Sequence, residues 1–133
     1  MEFIFNPSST DADVAKQLVD YMSYLNEQDP KVPLYKWNSY WYILKDNVWE
    51  KGRKTEPMEL RKFITNEYKA LYIHWQGKYN KMACVRHTTN TCKQFFKGRC
   101  DQCAEIYRKL GNHSYKNRII KESKEHFYDS SLT

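Results

Sequence analysis

Apolar residues recur along the chain with two different periods, which divide it into helical and extended segments. Between residues 10 and 27, they return every three or four positions, at Val14, Leu18, Met22 and Leu25. This period predicts an amphipathic helix, with Ser9 or Thr10 as its N-cap. The helix should end at Asp29, because proline at position 30 disfavours a helical conformation in the preceding residue.

Residues 34–51 change to a shorter period and are rich in tryptophan and tyrosine. Tyr40, Tyr42 and Leu44 alternate with Trp41 and Ile43. Alternation of this kind predicts β-strands, and the residues at 45–47 favour a turn. We therefore expect a β-hairpin or a short three-stranded meander that packs on a helix, since an isolated hairpin is only marginally stable.

The helical period returns after this aromatic hairpin. One helix is predicted from Thr55 to about residue 76, where Gly77 can end it. Residues 78–99 show no clear period, and Gly98 is expected to break any helix there.

Two shorter helices are predicted in the last third of the chain. The first carries Cys100, Cys103 and Ile106 on one face and ends at Gly111, and the second begins at Ser114. Together these elements predict a single, mainly α-helical domain with a small antiparallel aromatic β-hairpin, in the α+β class.

Length and composition indicate the number of domains, and the distribution of charge indicates the kind of partner. A chain of 133 residues is one ordinary domain, and 41% hydrophobic with 29% charged residues is typical of a globular protein. Residues 1–77, the helix–hairpin–helix part, carry 10 Lys and Arg against 11 Asp and Glu. Residues 78–133, the helical part with the cysteines, carry 12 against 5. A basic half indicates a phosphate-rich partner or, alternatively, a solubilising lysine-rich surface.

The sequence gives no sign of a membrane or secretory protein. Its longest apolar run is shorter than the roughly 18 residues of a membrane span, and MEFIFNPSST has no basic region followed by an apolar one. We therefore expect the four cysteines to lie in a reducing compartment, as thiols or metal ligands.

The candidate DNA-binding residues occupy or flank the last predicted helix, with Lys109 before Gly111 and the other four within the helix. The candidates are Lys109, Lys116, Arg118, Lys121 and Lys124. The spacing by three of Arg118, Lys121 and Lys124 places them within an arc of about 120°. Glu122 and Glu125 dilute this basic stripe, so the alternative is a solvated helix face with ion pairs.

The cysteines allow two interpretations. Cys84 with His87, and Cys100 with Cys103, form two close pairs that would suit a structural zinc knuckle. Alternatively, Cys100 and Cys103 pack in the core as small apolar residues, and Cys92 has no place in the zinc set.

No motif for nucleotide hydrolysis or nucleophilic catalysis is present. The sequence contains no Walker A, G-x-G-x-x-G, G-x-S-x-G or H-E-x-x-H pattern. We expect no cofactor and no ATP hydrolysis by this chain. The aromatic hairpin should pack half of its rings in the core, and the other half could stack on bases or bind a protein.

Three stretches carry a resemblance to a known family: STDADVAKQLVDYM at 9–22, WYILKDNVWE at 41–50, and LGNHSYKNRIIKESKEHFYD at 110–129. They resemble the linker domain that precedes the superfamily 3 helicase core in the replicative primase–helicases of poxviruses and other large cytoplasmic DNA viruses. The segment 84–103 with its cysteines has no counterpart in this resemblance.

The resemblance implies a noncatalytic module that contacts DNA and helps a hexameric ring to assemble at a viral replication site in the host cytoplasm. Its partners would be DNA and the primase and helicase domains of a homo-oligomeric parent chain, which would use ATP and magnesium. We expect the chain to be a fragment of that enzyme or a stand-alone relative. The alternatives are a zinc-knuckle nucleic-acid-binding protein and a viral protein-interaction module that uses the aromatic hairpin.

Overall fold

The computed structural model describes residues 3–86 and 88–132; helices form 61% of these residues, and one small sheet packs against the first and last helices through its first strand. In chain order, the elements are α1 (Asp11–Gln28), β1 (Leu34–Asn38), β2 (Tyr40–Lys45), β3 (Val48–Lys51), α2 (Met58–Phe63), a π-helical segment (Ile64–Tyr68), α3 (Lys69–Ala83), α4 (Asn90–Lys109) and α5 (His113–Phe127). The predicted class, a single mainly α-helical domain with a small antiparallel sheet, is confirmed.

Helix α1 begins and ends as its sequence predicts. The Thr10 hydroxyl accepts a hydrogen bond from the backbone N–H of Asp13 at 3.2 Å, which satisfies one of the free donors of the first turn. The helix buries Val14, Leu18 and Met22, and packs against α5.

The aromatic segment forms a three-stranded antiparallel sheet with strand order β1-β2-β3, which is the second of the two predicted arrangements. Asp46 and Asn47 have φ values of 50° and 66°, the left-handed conformation of a tight hairpin turn between β2 and β3. Trp41 is fully buried, and its ring centroid lies 5.7 Å from that of Phe127 on α5. The inner face of the sheet therefore belongs to the core, while Trp49 on β3 is 39% exposed.

The middle helix is longer than predicted. Helix α2, the π-helical segment and α3 follow one another without a break over residues 58–83, so the predicted start at Thr55 and end at Gly77 are both wrong. An interior glycine costs a helix only about 1 kcal/mol. Here α3 packs against α4 and buries Tyr79 and Ala83 beyond that glycine, which outweighs the cost.

Helix α4 likewise continues through a glycine. It spans Asn90–Lys109, so the prediction that Gly98 breaks the helix is wrong. The Thr89 hydroxyl caps it by accepting from the N–H of Cys92 at 3.2 Å. Helices α3 and α4 pack along each other as a pair, which we call the α3–α4 hairpin.

The junction between α4 and α5 also differs in detail from the prediction. The Asn112 side chain, and not Ser114, caps α5 by accepting from the N–H of Tyr115 at 3.0 Å. Leu110 takes the C-cap position of α4 in a right-handed conformation, so no left-handed glycine is needed at Gly111.

A buried polar network joins α1 to the middle helix. The Gln17 amide nitrogen donates to the Tyr72 hydroxyl at 2.9 Å, and its oxygen accepts from the backbone N–H of Asn6. The Tyr68 hydroxyl lies 3.1 Å from that of Tyr72 and donates to the carbonyl of Val14 at 2.6 Å. Burial raises the pKa of both tyrosines, so their hydroxyls stay protonated donors.

The segment after α5 extends the sheet beside β1. The backbone N–H of Asp129 donates to the carbonyl of Trp37 at 3.1 Å, and the Lys36 ammonium lies 3.0 Å from the Asp129 carboxylate. Hydrogen bonds from the Ser131 hydroxyl and N–H, and then the Lys36 charge, lower the pKa of Asp129 to about 2. The end of the described chain is therefore fixed to the sheet.

We predict that Gln17→Leu lowers the free energy of unfolding by about 1–3 kcal/mol, because it leaves the Asn6 N–H and the Tyr72 oxygen short of a buried partner. Urea denaturation followed by circular dichroism measures this loss. Gln28→Leu, at an exposed position near the end of α1, is the matched control and should change stability by less than about 0.5 kcal/mol. Equal stability of Gln17→Leu and the wild type would contradict the role of the network.

Candidate nucleic-acid interface

The predicted stripe on α5 exists, but both of its ends are occupied. The Arg118 guanidinium lies 3.4 Å from the Asp11 carboxylate on α1. The Lys124 ammonium lies 4.1 Å from the ring centroid of Trp37 on β1, a cation–π contact. Within the described part of the chain, Lys121 makes no ion pair or hydrogen bond. The stripe therefore offers one fully available cation.

The other two predicted DNA-binding residues also have partners within the protein. The Lys109 ammonium, on α4, pairs with the Glu105 carboxylate at 3.0 Å. The Lys116 ammonium donates to the Thr65 hydroxyl at 2.8 Å, on the side of α5 that faces the middle helix. Burial, followed by the charges of Arg61 and Lys69, lowers the pKa of Lys116. Lys116 therefore faces away from the stripe, whereas Lys109 adjoins it, because the Lys109 ammonium and the Arg118 guanidinium lie 5.7 Å and 5.2 Å from the centroid of the same Tyr115 ring.

The sequence contains a second basic region, which lies outside the α5 stripe. Between Glu67 and Asp101 there is no acidic residue, while seven are Lys or Arg: Lys69, Lys78, Lys81, Arg86, Lys93, Lys97 and Arg99. The structure places this stretch on α3, the following turn and the first half of α4. The excess positive charge of the C-terminal half is therefore concentrated on the α3–α4 hairpin. The missing acids were the signal in the sequence that would have identified it.

A row of aromatic rings runs along one side of this hairpin. The centroids of neighbouring rings are 5.6 Å apart for Trp75 and Tyr79, 6.4 Å for Tyr79 and Phe96, and 5.4 Å for Phe96 and Phe95. Phe5, before α1, stacks on Trp75 at 5.1 Å. The row starts in the core and ends at Phe95, which is 53% exposed.

Two cations lie over these rings. The Lys78 ammonium is 4.6 Å from the Trp75 ring centroid. The Arg99 guanidinium is 4.6 Å from the centroid of Phe95 and 5.7 Å from that of Tyr79. Among the described residues, Arg99 has no carboxylate partner. Its guanidinium is therefore held by rings and not neutralised.

A groove of about 540 Å³ lies between α4 and the segment before α1. We call it the Arg99 groove; its polar and aromatic lining consists of Asn6, Ser8, Gln94, Phe95, Arg99 and Gln102. A second cavity, of about 490 Å³, has Lys97, Cys100 and Asp101 in its wall. Residues 97 and 99 are about 200° apart around a helix, so the two openings are on opposite sides of α4.

The candidate zinc ligands occupy different environments. Cys103 is fully buried, and burial raises the pKa of its thiol to about 11. The Cys100 thiol donates to the carbonyl of Gln76 at 3.3 Å, and burial followed by the Asp101 charge raises its pKa. Cys84 and Cys92 are exposed.

His87 lies outside the described residues. Within residues 3–86 and 88–132, no three His, Cys, Asp or Glu side chains are grouped so that they could hold a metal ion. The described members of the proposed set, Cys84, Cys100 and Cys103, therefore do not meet as zinc ligands, and the environment of Cys103 is that of a buried thiol. Zinc binding stays a prediction.

Comparison with protein-family models, with curated proteins and with solved structures gave no match to this chain. Of the helices in the described residues, none is both long and apolar enough to cross a membrane. Function is therefore inferred from the residues and the geometry of this chain itself.

We predict that Cys103→Ala destabilises the protein by about 1–3 kcal/mol through lost core packing, and that the loss for the half-buried Cys100→Ala is smaller. Chemical denaturation measures both losses. Excess chelator should leave the thermal midpoint of the wild type unchanged. A midpoint that falls with chelator and returns with one equivalent of zinc would instead establish the zinc knuckle.

Proposed function

We propose that this chain is a noncatalytic DNA-contacting module. The observation that carries the proposal is the α3–α4 hairpin, on which seven Lys and Arg occur in a stretch without any acidic residue. Such a surface attracts the phosphate backbone and releases its counterions, which gives affinity without sequence preference. The chain would hold DNA near a reaction that another domain carries out.

We further propose that the parent protein is a primase–helicase of viral DNA replication, on the basis of the three resembling stretches. These stretches lie on α1, on β2 with β3, and on α5 with the segment after it. They are neighbours in the fold: α1 packs on α5, and Phe127 of α5 packs on Trp41 of β2. A common scaffold of this kind supports the proposal, and the basic hairpin projects from it.

The remaining features of this proposal belong to the parent protein. ATP and magnesium would bind to its helicase domain, the ring would be a homo-oligomer, and the replication site would be in the host cytoplasm. The module would position DNA at the ring and contribute to its assembly.

The exposed part of the aromatic hairpin supports a second candidate function, in protein binding. Val48 is 59% exposed and Trp49 39% exposed, with the Lys36 ammonium 4.6 Å from the Trp49 ring centroid. Exposed tryptophans are enriched in protein-binding hot spots. Binding through this surface would depend little on salt, which separates it from DNA binding.

The test is fluorescence anisotropy of a labelled oligonucleotide at several salt concentrations. The wild type should bind with a dissociation constant of about 10⁻⁴–10⁻⁶ M at physiological salt, with a logarithmic affinity that falls linearly with the logarithm of salt. Replacing Lys78, Lys81, Lys93 and Lys97 by Gln should weaken binding and flatten the salt slope.

The matched control changes four exposed lysines of the neutral half to Gln: Lys16, Lys31, Lys45 and Lys62. This control removes four positive charges, as the α3–α4 hairpin variant does, but it should weaken DNA binding less. A wild type without DNA binding, or equal losses in the two variants, would contradict a DNA contact through the hairpin.

A further inference from the structure

The DNA-contacting hairpin has a feature that phosphate binding alone does not explain. Phe95 exposes 53% of its surface on α4, at the end of a row of rings whose other members are more covered. Its ring is fixed by Phe96 at 5.4 Å and by Arg99 at 4.6 Å. A fixed, exposed ring in a basic surface is the platform on which single-strand binders stack bases.

The polar groups beside Phe95 suit the rest of a nucleotide. Among the described residues that line the Arg99 groove, none is acidic. The unneutralised guanidinium of Arg99 can donate two parallel hydrogen bonds to a phosphate. The side-chain amides of Gln94 and Gln102 can donate to and accept from the edge of a base.

The dimensions of the groove agree with such a ligand. Its volume of about 540 Å³ lies within the range of ordinary small-ligand sites, about 300–1,000 Å³. One wall is helix α4, and the other is held in place because the Asn6 N–H donates to Gln17 and Phe5 stacks on Trp75. The groove is therefore built into the fold at the junction of α4 with the N-terminal segment.

We propose that the Arg99 groove binds single-stranded DNA, with a base stacked beside Phe95 and the adjoining phosphate on Arg99. This deepens, and rests on, the proposed DNA-contacting function by naming its ligand class. A duplex keeps its bases stacked on one another, so it presents its backbone and base edges to a protein but not the faces of its bases. Unpaired bases can leave the stack and pack on a protein ring, so single strands gain a contact that duplexes lack.

The experiment measures the affinity of oligo(dT) and of a duplex of equal length by anisotropy at one fixed salt concentration. The wild type should bind oligo(dT) more tightly than the duplex. Phe95→Leu keeps an apolar side chain but removes the ring, and should weaken oligo(dT) binding by about 5- to 150-fold. Its affinity for the duplex should stay within about twofold of the wild type, since phosphate contacts are retained.

Arg99→Gln and Lys97→Gln form a matched pair, because each removes one positive charge from opposite sides of α4. Arg99→Gln should weaken oligo(dT) binding more than Lys97→Gln does. Thermal melts should show that all these variants stay folded at the temperature of the binding measurement, since Phe95 is largely exposed and neither cation has an ion-pair partner in the described chain.

The outcomes separate this inference from the function on which it rests. Two results would contradict single-strand binding in the Arg99 groove: Phe95→Leu binds oligo(dT) as tightly as the wild type, or the wild type binds the duplex as tightly as oligo(dT). Either result would still be compatible with a DNA-contacting module. If Lys121→Gln loses binding and Phe95→Leu does not, the DNA contact lies on α5, and binding in the groove is contradicted as well. Absence of wild-type binding to either DNA overturns both proposals.

Discussion

The amide of Gln17 fixes three segments relative to one another: α1, the middle helix and the N-terminal segment before α1. From its place on α1, it binds the Tyr72 hydroxyl of the middle helix through its nitrogen and the backbone of Asn6 through its oxygen. Because both the nitrogen and the oxygen of this buried amide are hydrogen-bonded, the two helices and the N-terminal segment must keep one relative position. An apolar side chain at this position would leave the partner groups without hydrogen bonds. The amide thereby fixes the position of the N-terminal segment, which forms one wall of the Arg99 groove.

The π-helical segment at Ile64–Tyr68 belongs to the same arrangement. One wider turn precedes α3, and both tyrosines of the network, Tyr68 and Tyr72, lie at or just after it. Short π-helical turns are often found at functional sites. Here the segment adjoins the hydroxyl pair that anchors α1, and α3 leads from it to the charged hairpin.

The α3–α4 hairpin is highly charged and buries few of its side chains. Of the described residues between 73 and 102, only Tyr79 and Ala83 are buried, while the other side chains are exposed or partly exposed. A helical pair with so little buried surface can carry many like charges, because water solvates them and salt screens them. Its stability then depends on the inner row of rings, and the same row brings Phe95 to the surface.

Local signals predicted α1, the antiparallel aromatic β-segment and the last helix, because caps, alternation and helical period depend on neighbouring residues. They left open whether that segment has two strands or three. The ends at Gly77 and Gly98 were predicted wrongly, since packing between α3 and α4 outweighs a glycine penalty of about 1 kcal/mol. The spacing on α5 predicted that Arg118, Lys121 and Lys124 share one side. It could not predict that Asp11 and Trp37, distant in sequence, occupy two of them.

The Arg99 groove was beyond prediction for the same reason, because it joins residues 6–8 to residues 94–102. Its role is tested most directly by following the backbone amide signals of isotope-labelled protein by nuclear magnetic resonance while oligo(dT) is added. If the groove binds the single strand, the largest shifts occur at residues 5–8, at Trp75 and along residues 94–102. Shifts centred on Lys121 of α5, with those of the groove unchanged, would contradict it.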